Sequence, residues 1–358
     1  MAGNDPAGGS NGTLTGMMKR STITDVAKHA GVSIKTVSRV VRKEPNVSEG
    51  TRKVVEEAVA ELNYRPTISA RSTVSARSFL LGLVFDNPNP SYTFELLLGA
   101  QEAARSNGYH LIFEPLDRSE KQPGPALAEL IIQGNLEGVI VPPPLCDDPG
   151  VLEALSEINR PFARIAPSEK PSLGFSVSMD DYGAAKAITN HLIDHGHTRI
   201  GFIRGRKGTA TTRRRLSGYN DALSEAGLPF DQELSCQGDF QLRSGVECGN
   251  ALLDLEKPPT AIFASNDDMA AGVMIAAHSR GLRVPEDLSI AGFDDSQTAR
   301  AMWPPLTTIA QPVREMAAAA ANAIIEHQRS GEGGEIESVE LPFELIIRQS
   351  TGPAKPAE

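Results

Sequence analysis

Several features that would place the chain in a common protein class are missing from its 358 residues. There is no run of about 18 apolar residues, which argues against a membrane-spanning helix. The opening segment MAGNDPAGGSNGTLTG has neither the basic start nor the apolar stretch of a signal peptide. Its glycine and polar content predicts a disordered extension over residues 1–18, with Met17 or Met18 as alternative starts. Because the sequence shows neither a membrane-spanning run nor a signal peptide, we expect a cytoplasmic protein.

Cysteine is scarce, and the motifs of common enzymes are absent. Cys146, Cys236 and Cys248 lack metal-ligand spacing, so we expect three reduced thiols, no metal site and no cofactor. The chain has no G-x-G-x-x-G, G-x-x-x-x-G-K-[ST] or G-x-S-x-G motif. His195 and His197 are two residues apart, which is more typical of a turn than of one helix face. These absences argue against an enzyme.

Charge is distributed unevenly along the chain. The formal net charge is −10, yet residues 18–78 carry +6 and residues 79–358 carry −15. A small basic module on a large acidic body indicates that only the module contacts a polyanion such as nucleic acid. A solvated charged surface is the alternative.

Three short helical patterns fill the basic module. In STITDVAKHAG, Thr22 is placed to cap a helix that Gly31 ends. Ser48 is placed to cap a third helix that extends to about Leu62, and Pro66 ends that pattern. The apolar positions predicted to face inward in this third helix are Val54, Val55, Ala58, Val59 and Leu62.

The segment AGVSIKTVSRVV, residues 30–41, has the pattern of a helix-turn-helix. Gly31 allows a sharp turn and Ser33 can cap the second helix. Its valines fall on one face, which leaves Lys35, Thr36 and Arg39 on the other. Lys and Arg donate to guanine and a Thr methyl contacts thymine, so this face suits the major groove of DNA.

From Phe79 onwards, short apolar strands alternate with helices. The strands predicted in a first round are 80–85, 110–113, 138–141 and 162–165. A second round is predicted to begin at 174–179 and to continue with 199–203, 261–265 and 288–293. This pattern predicts two doubly wound α/β lobes with a ligand site in the cleft between them.

The chain resembles the lactose-repressor (LacI/GalR) family over roughly residues 19–351. TITDVAKHAGVSIKTVSRVV and the later segment VSEGTRKVVEEAVAELNYRP are similar to its DNA-binding domain. LIDHGHTRIGFIRG, AIFASNDDMAAG, GLRVPEDLSIAGFDDS and PPLTTIAQP follow in the family's order. The resemblance implies an all-α helix-turn-helix headpiece and a hinge, followed by two lobes of periplasmic-binding-protein type. It implies domain bounds of 19–65 for the headpiece, 66–78 for the hinge and 79–358 for the effector-binding and dimerisation body.

By resemblance, a homodimer binds a near-palindromic double-stranded operator. The residues that the resemblance places on DNA in the headpiece are Thr22, Ser33, Ile34, Lys35, Thr36, Ser38 and Arg39. Ile34 and Lys35 are expected to tune sequence choice, Arg39 to contact a guanine, and Thr22 and Ser38 to contact phosphates.

The hinge departs from the family at one position. The resemblance places Ile68, Arg71 and Thr73 at the minor groove, but Thr73 stands where the family usually has a leucine wedge. Threonine offers less apolar surface for unstacking bases. Either the DNA kink is shallower, or Ile68 or Val74 contributes to it.

The resemblance also implies an effector pocket. Its second-lobe residues are Arg215, Phe240, Asn266, Asp294 and Gln311, a set that suits a sugar. A surface or capping role is the alternative for each of them. In the first lobe, Pro142 and Ala166 stand where relatives often carry polar groups. Asp86, Asn87 and Phe94 are the candidates that compensate for them, and the ligand is expected to present a more apolar end there, as a glycoside does.

The predicted function is therefore a DNA-binding transcriptional regulator, a repressor of carbohydrate-use genes whose operator affinity changes when a sugar-like effector binds. The sign of that change is left open. The chain ends soon after RQST without an apolar heptad helix, so a dimer without a tetramerising tail is expected. The alternative is a solute-binding protein of periplasmic type without a regulatory role.

Overall fold

The computed structural model describes seven segments of the chain, namely residues 21–41, 47–64, 77–86, 89–116, 122–169, 173–330 and 338–355. The chain divides into two compact units, residues 1–78 and 79–358. No helix within the described segments is both long enough and apolar enough to cross a membrane.

The first unit is helical and its helix starts are capped. The helices are α1 (Ile23–His29), α2 (Ile34–Val41) and α3 (Glu49–Glu61). Thr22 and Asp25 form a reciprocal capping box at α1. The Oγ atom of Ser33 accepts from the backbone N of Thr36 at 3.1 Å, and Ser48 caps α3. The three caps predicted from the sequence are confirmed.

A small apolar core joins these three helices. Val26, Val37, Val40 and Val55 are at most 3% exposed within it. Gly31 adopts a φ of 65° in the turn between α1 and α2, a conformation that glycine adopts without strain. The expectation for Val54 is wrong, because this side chain is 46% exposed. A helix rotates successive residues by about 100°, which places Val54 outside the stripe formed by Val55, Ala58, Val59 and Leu62.

The second unit contains twelve strands among its described residues. They are β1 (Leu80–Phe85), β2 (His110–Pro115), β3 (Gly138–Val141), β4 (Phe162–Ile165), β5 (Phe175–Met179), β6 (Ile200–Arg204), β7 (Ser235–Gln237), β8 (Ala261–Ala264), β9 (Ser289–Ala291), β10 (Thr308–Ala310), β11 (Ser338–Leu341) and β12 (Glu344–Ile346).

Helices connect these strands. They are α4 (Pro90–Ser106), α5 (Pro123–Gln133), α6 (Pro149–Ile158), α7 (Asp181–Asp194), α8 (Ala210–Glu225), α9 (Leu242–Leu253), α10 (Asp267–Ser279), α11 (Gln297–Ala301) and α12 (Val313–Ser330).

Two parallel sheets define two lobes. The first lobe has the strand order β11-β5-β4-β3-β1-β2, and the second has β7-β6-β8-β9. β10 and β12 form a separate antiparallel pair. The two doubly wound lobes predicted from the sequence are thus present.

The assignment of β5 to the second round is wrong. Its Val177 pairs with Ile165 of β4, so β5 extends the first sheet. The chain crosses to the second lobe after β5 and returns through α12, which packs on α4 of the first lobe. Alternation of strands and helices does not reveal this crossing, because a strand's sheet is set by long-range pairing.

The expectation of three reduced thiols is also wrong. Cys236 and Cys248 form a disulfide with a Cα–Cα distance of 5.7 Å, whereas Cys146 is free and buried. A strand followed by a returning helix brings the two sulfurs together across twelve positions, and their sequence spacing does not indicate this. Within the described segments, no group of His, Cys, Asp or Glu side chains is arranged to hold a metal ion.

Candidate functional site

The first candidate site is the outward face of α2. Ser33, Ile34, Lys35 and Arg39 are exposed, and Ile34 keeps 49% of its surface free although it is apolar. The buried valines on the opposite face fix this orientation. The result is a short helix that presents cationic, hydroxyl and apolar groups near its start, as readers of the major groove do.

The other headpiece residues lie beside this face or outside the described segments. Thr36 and Ser38 are partly exposed in α2. Thr22 is exposed, and its Oγ1 donates to Asp25 at 2.7 Å. The predicted hinge contacts Ile68, Arg71 and Thr73 fall outside the described residues.

The second candidate site is a cavity in the body at the carboxyl ends of the strands. In each sheet the strand order reverses at one point, between β1 and β3 in the first lobe and between β6 and β8 in the second. Ligands of doubly wound folds bind at such points. The residues lining the cavity are Asn89, Tyr92, Pro143, Pro144, Arg206, Thr209, Thr211, Arg215, Phe240, Asn266, Asp294 and Gln311. The five second-lobe candidates of the sequence are therefore together.

Arg215 is the most constrained of these residues. Its side chain is 4% exposed, and both Nε and Nη2 lie 2.8 Å from Oδ1 of buried Asp181. Nη1 donates to the carbonyl oxygen of Ser265 at 2.6 Å, and the guanidinium lies 3.5 Å from the ring centre of Phe293. A guanidinium has five N–H donors, so two remain for a ligand.

Asp294 faces the same space and has an unusual backbone. Its φ is 124°, which is rare for a residue other than glycine. Gln311 donates from Nε2 to its Oδ1 at 2.6 Å. Burial and the nearby Asp267 raise the pKa of Asp294 well above its ordinary value, while Arg215 opposes that shift. Asp294 thus offers the cavity an acceptor already oriented by an amide.

Asp267 lies beneath this wall, fully buried at the start of α10. Its Oδ1 accepts from Thr308 at 2.7 Å and its Oδ2 accepts from the backbone N of Ser296 at 2.8 Å. Burial raises the pKa of Asp267 to about 7, although these hydrogen bonds lower it. It therefore acts as a support for the loop that carries Asp294.

Asn266 and Phe240 form another part of the wall. Asn266 caps α10 through Oδ1, which accepts from the backbone N of Met269, and its Nδ2 donates to the carbonyl of Phe240 at 2.9 Å. A capping role and a lining role thus coexist in one side chain. Phe240 has a φ of 74°, and a Cβ atom at Gly205 would lie only 2.0 Å from its ring. Glycine at position 205 therefore makes room for the aromatic ring.

The first lobe closes the cavity with less polar groups. Pro143 and Pro144 follow β3 and offer no backbone N–H. Asn89 is 5% exposed and caps α4 by accepting from the backbone N of Tyr92 at 3.0 Å. Burial, followed by the nearby Cys146 and Asp294, raises the pKa of Tyr92, so its phenol stays a neutral donor.

Two of the first-lobe candidates, Asp86 and Phe94, are not among the described residues that line this cavity. Asp86 follows β1 and contacts Arg206, whose Nη1 lies 3.4 Å from the Asp86 carbonyl oxygen and 3.9 Å from its Oδ2. Phe94 is 55% exposed and lines a neighbouring groove that shares Tyr92, Asp294 and Gln311 with the cavity. Asn87 lies outside the described residues.

Several residues that line the cavity were not predicted from the sequence. They are Asn89, Tyr92, Arg206, Thr209 and Thr211. All of them follow β1 or β6, so the rule that ligands meet the carboxyl ends of strands was a usable signal for them. The rule does not say which of the residues after a strand turns inward.

Comparison with known families covers both units. Residues 22–67 match the bacterial regulatory proteins of the lacI family. Residues 189–351 match the periplasmic binding protein-like domain.

Full-length relatives and solved structures agree with these matches. The HTH-type transcriptional regulator DegA of Bacillus subtilis (strain 168) is 37% identical over 338 residues, covering 93% of this chain and 99% of DegA. A complex of the transcriptional regulator CelR with cellobiose has a TM-score of 0.70 at 29% identity, covering 92% of this chain and 100% of CelR. A lac repressor dimer bound to operator and the anti-inducer ONPF has a TM-score of 0.77 at 28% identity, covering 93% and 100%.

Proposed function

The chain belongs to the LacI family of transcriptional regulators, and we propose that it represses carbohydrate-use genes under the control of a sugar-like effector. The effector binds the cavity between the lobes, and the headpiece binds a near-palindromic operator as part of a homodimer. The observation that carries the proposal is the set of buried, oriented polar side chains at the switch points of both sheets.

The chemistry of the cavity supports a polyhydroxylated ligand. Arg215 keeps donors free, Asp294 offers an acceptor, and Asn266 combines both kinds of group. Such a set matches adjacent hydroxyls, and the ring of Phe240 suits the C–H face of a sugar. The CelR structure contains cellobiose, and a further family structure contains ribose, which supports the same ligand class for this chain.

The first-lobe wall favours a ligand with an apolar end. Pro143 and Pro144 provide apolar surface without donors, and Tyr92 adds a ring with one hydroxyl. A glycoside with an apolar substituent matches this wall better than a free monosaccharide does. Asp86 and Phe94 act at the rim of the cleft, where Asp86 holds Arg206.

Effector binding changes DNA affinity through linkage. A ligand that prefers one arrangement of the lobes shifts the population of that arrangement, and operator affinity changes by the same coupling factor. In the dimer, the spacing of the two headpieces is the quantity that changes. This mechanism requires the protein to share a compartment with DNA, so we place it in the cytoplasm and assign it no enzymatic activity.

The experiment that tests the proposal has two stages. The full-length protein first selects duplexes from a random DNA pool, which defines the operator. The affinity for that duplex is then measured with and without sugars and glycosides that raise the Tm of the protein. A palindromic consensus and a ligand-dependent change of at least about fivefold are expected. Ligand binding that leaves DNA affinity unchanged favours the solute-binding alternative.

A substitution in α2 tests how the operator is read. Arg39→Ala is expected to relax the preference at one base pair and to cost about 1–3 kcal/mol there. Lys28, which is exposed on α1, provides the control, since Lys28→Ala changes charge without touching α2. An Arg39→Ala binding profile unchanged at every base would contradict the assignment.

The hinge proposal concerns Ile68, Arg71 and Thr73. A leucine wedge kinks DNA more strongly than a threonine, so Thr73→Leu is expected to increase the bend angle of the operator complex. Gel mobility of circularly permuted operator fragments measures that angle. An unchanged angle would assign the wedge to Ile68 or Val74 instead.

A further inference from the structure

A disulfide connects two elements next to the effector cavity. Cys236 lies in β7, the edge strand of the second sheet, and Cys248 lies in α9. Their Cα atoms are 5.7 Å apart, within the range that a disulfide spans without moving the backbone. The fold therefore places these two sulfurs within bonding distance whenever β7 and α9 are packed together.

The turn between the two cysteines forms part of the cavity wall. It contains Phe240, which lines the cavity and has a strained φ of 74°. Several hydrogen bonds also hold this turn. Asn266 donates to the Phe240 carbonyl, and the backbone N of Gly238 donates to Arg204 at 2.9 Å. Gln237 donates to the Gly205 carbonyl, and the backbone N of Asp239 donates to Ser244 Oγ at 3.2 Å. The disulfide thus closes a short loop, and the Phe240 ring at the tip of this loop lines the cavity.

The two sulfurs differ in accessibility. Cys236 is half-buried on β7, which pairs with β6 on one side and with no other strand of the described segments, whereas Cys248 is 3% exposed in the second-lobe core. Exposure governs which thiol an external reagent reaches first. Cys236 is accordingly the attacking thiol and Cys248 the one that completes the exchange.

We propose that Cys236 and Cys248 form a reversible redox site that exchanges with small disulfides, R–S–S–R, and that its oxidation state sets the mobility of the Phe240 wall. In the forward direction, the Cys236 thiolate attacks one sulfur of R–S–S–R, forms a mixed disulfide and releases one thiolate. The Cys248 thiolate then displaces the second one. The two cysteine thiols are oxidised, R–S–S–R is reduced to two R–SH, and the two thiol protons end on those products.

The reduced protein keeps its fold. Three residue pairs hold β7 to β6 without the cross-link, and Cys248 stays packed against the apolar side chains of the second lobe. What is lost is a constraint on the loop, so the change is confined to the turn around Phe240. Any consequence for effector affinity rests on the proposed function, whereas the redox exchange and the wall mobility do not.

Thiol trapping in glutathione buffers tests the exchange. The full-length protein is equilibrated at ratios from fully reduced to fully oxidised glutathione, alkylated, and analysed by peptide mass spectrometry. We expect Cys236 and Cys248 to become protected together and reversibly as the oxidised share rises. Cys146, which is fully buried, gives the same signal at every ratio and serves as the internal control. A bond that never forms, or one that reduced glutathione cannot open, overturns the proposal.

Hydrogen exchange tests the effect on the wall. Reduction is expected to speed amide exchange in residues 238–244 about tenfold, with no change in β1 and β3 of the first lobe. Cys236→Ser is expected to show the fast rate under both conditions, and Cys146→Ala is expected to respond as the natural protein does. Cys248→Ala provides a second way to remove the bond if Cys236→Ser fails to fold. Equal rates in the oxidised and reduced protein overturn the proposed coupling, with no effector needed in either measurement.

Discussion

The two lobes build opposite walls of the same cavity from different chemistry. The second lobe contributes Arg215, Asn266 and Asp294, each held by further hydrogen bonds. Of the described residues that line the cavity, those from the first lobe are Asn89, Tyr92, Pro143 and Pro144, and none of these carries a charge. The second lobe is thus equipped to orient polar groups, while the first lobe is suited to shape and apolar contact.

This difference follows from what each lobe places after its strands. Behind the second-lobe wall are two buried carboxylates. Asp181 bonds Arg215 through Oδ1, while its buried Oδ2 has no hydrogen-bond partner among the described residues. Asp267 accepts hydrogen bonds from Thr308 and from the backbone N of Ser296. Buried polar groups need such partners, and these hydrogen bonds fix the positions of the side chains behind the wall. The first lobe follows β3 with prolines, which have no N–H to satisfy. The polar wall and the apolar wall therefore indicate that the second lobe orients polar groups of a ligand, whereas the first lobe provides shape and apolar contact.

The largest expected effect comes from breaking the second-lobe network. Arg215→Ala leaves Asp181 buried without its cation, so the free energy of unfolding is expected to fall by about 3–5 kcal/mol. Chemical denaturation of the full-length protein measures it. Arg213→Ala is the matched control, because Arg213 is exposed on the same helix. Equal losses for the two variants would show that the network does not stabilise the second lobe.

The second prediction concerns pH and the support under that wall. Because burial raises the folded-state pKa of Asp267 to about 7, the folded protein holds this proton while the unfolded chain releases it. Stability relative to Asp267→Asn should therefore fall as pH rises from about 4 to 7, by at most about 1.4 kcal/mol per pH unit.

Asn is a suitable replacement, since its oxygen accepts from the Ser296 amide while its NH₂ donates to the Thr308 hydroxyl. Tm measured across this pH range for both proteins gives the difference. A difference that stays constant, or one that grows with pH, contradicts the assignment of a raised pKa.

The third prediction uses ligand affinity to test whether the first-lobe wall makes apolar contacts. If the first-lobe wall contacts an apolar end, a glycoside with an apolar substituent should bind about tenfold tighter than the corresponding free sugar. Isothermal titration calorimetry of the pair measures the ratio. Tighter binding of the free, fully hydroxylated monosaccharide would assign a polar role to both walls and remove the difference between them.

The smallest expected effect comes from the one hydroxyl that Tyr92 adds to the first-lobe wall. Tyr92→Phe keeps the ring and removes a donor, so affinity for a sugar or glycoside that raises the Tm of the protein should fall by a few-fold, about 0.5–1.5 kcal/mol. Tyr182→Phe removes a hydroxyl that bonds Asp221 away from the cavity and serves as the control. A loss as large as that expected for a charged group would show that the first lobe also orients the ligand.

Features set by residues a few positions apart were predicted correctly from the sequence, whereas features set by loop packing were not. The caps at Thr22, Ser33 and Ser48 act over three residues, and all three were predicted correctly. Asp86 follows a correctly predicted strand but contacts Arg206 rather than lining the cavity. The position after a strand was known, whereas the side chain that turns inward depends on the loop's packing.

Val54 and β5 show the two limits of periodicity. An apolar residue beside a buried one fits a helical pattern loosely, and only packing against the neighbouring helices decides which is covered. β5 was correctly predicted as a strand. That it belongs to the first sheet and not to the second follows from its pairing with β4, which the order of strands and helices along the chain does not reveal.

The amino-acid sequence was enough to predict the helix-turn-helix with its outward face and the family, and the resemblance to that family implied which second-lobe residues meet at the cavity. These features rest on local spacing and on the order of motifs along the chain, which folding does not rearrange. The tertiary structure alone decided where the chain crosses between lobes, which residues of the first lobe close the cavity, and that Cys236 meets Cys248. Each of these depends on contacts between segments distant in sequence, whose geometry is set by how sheets and helices pack.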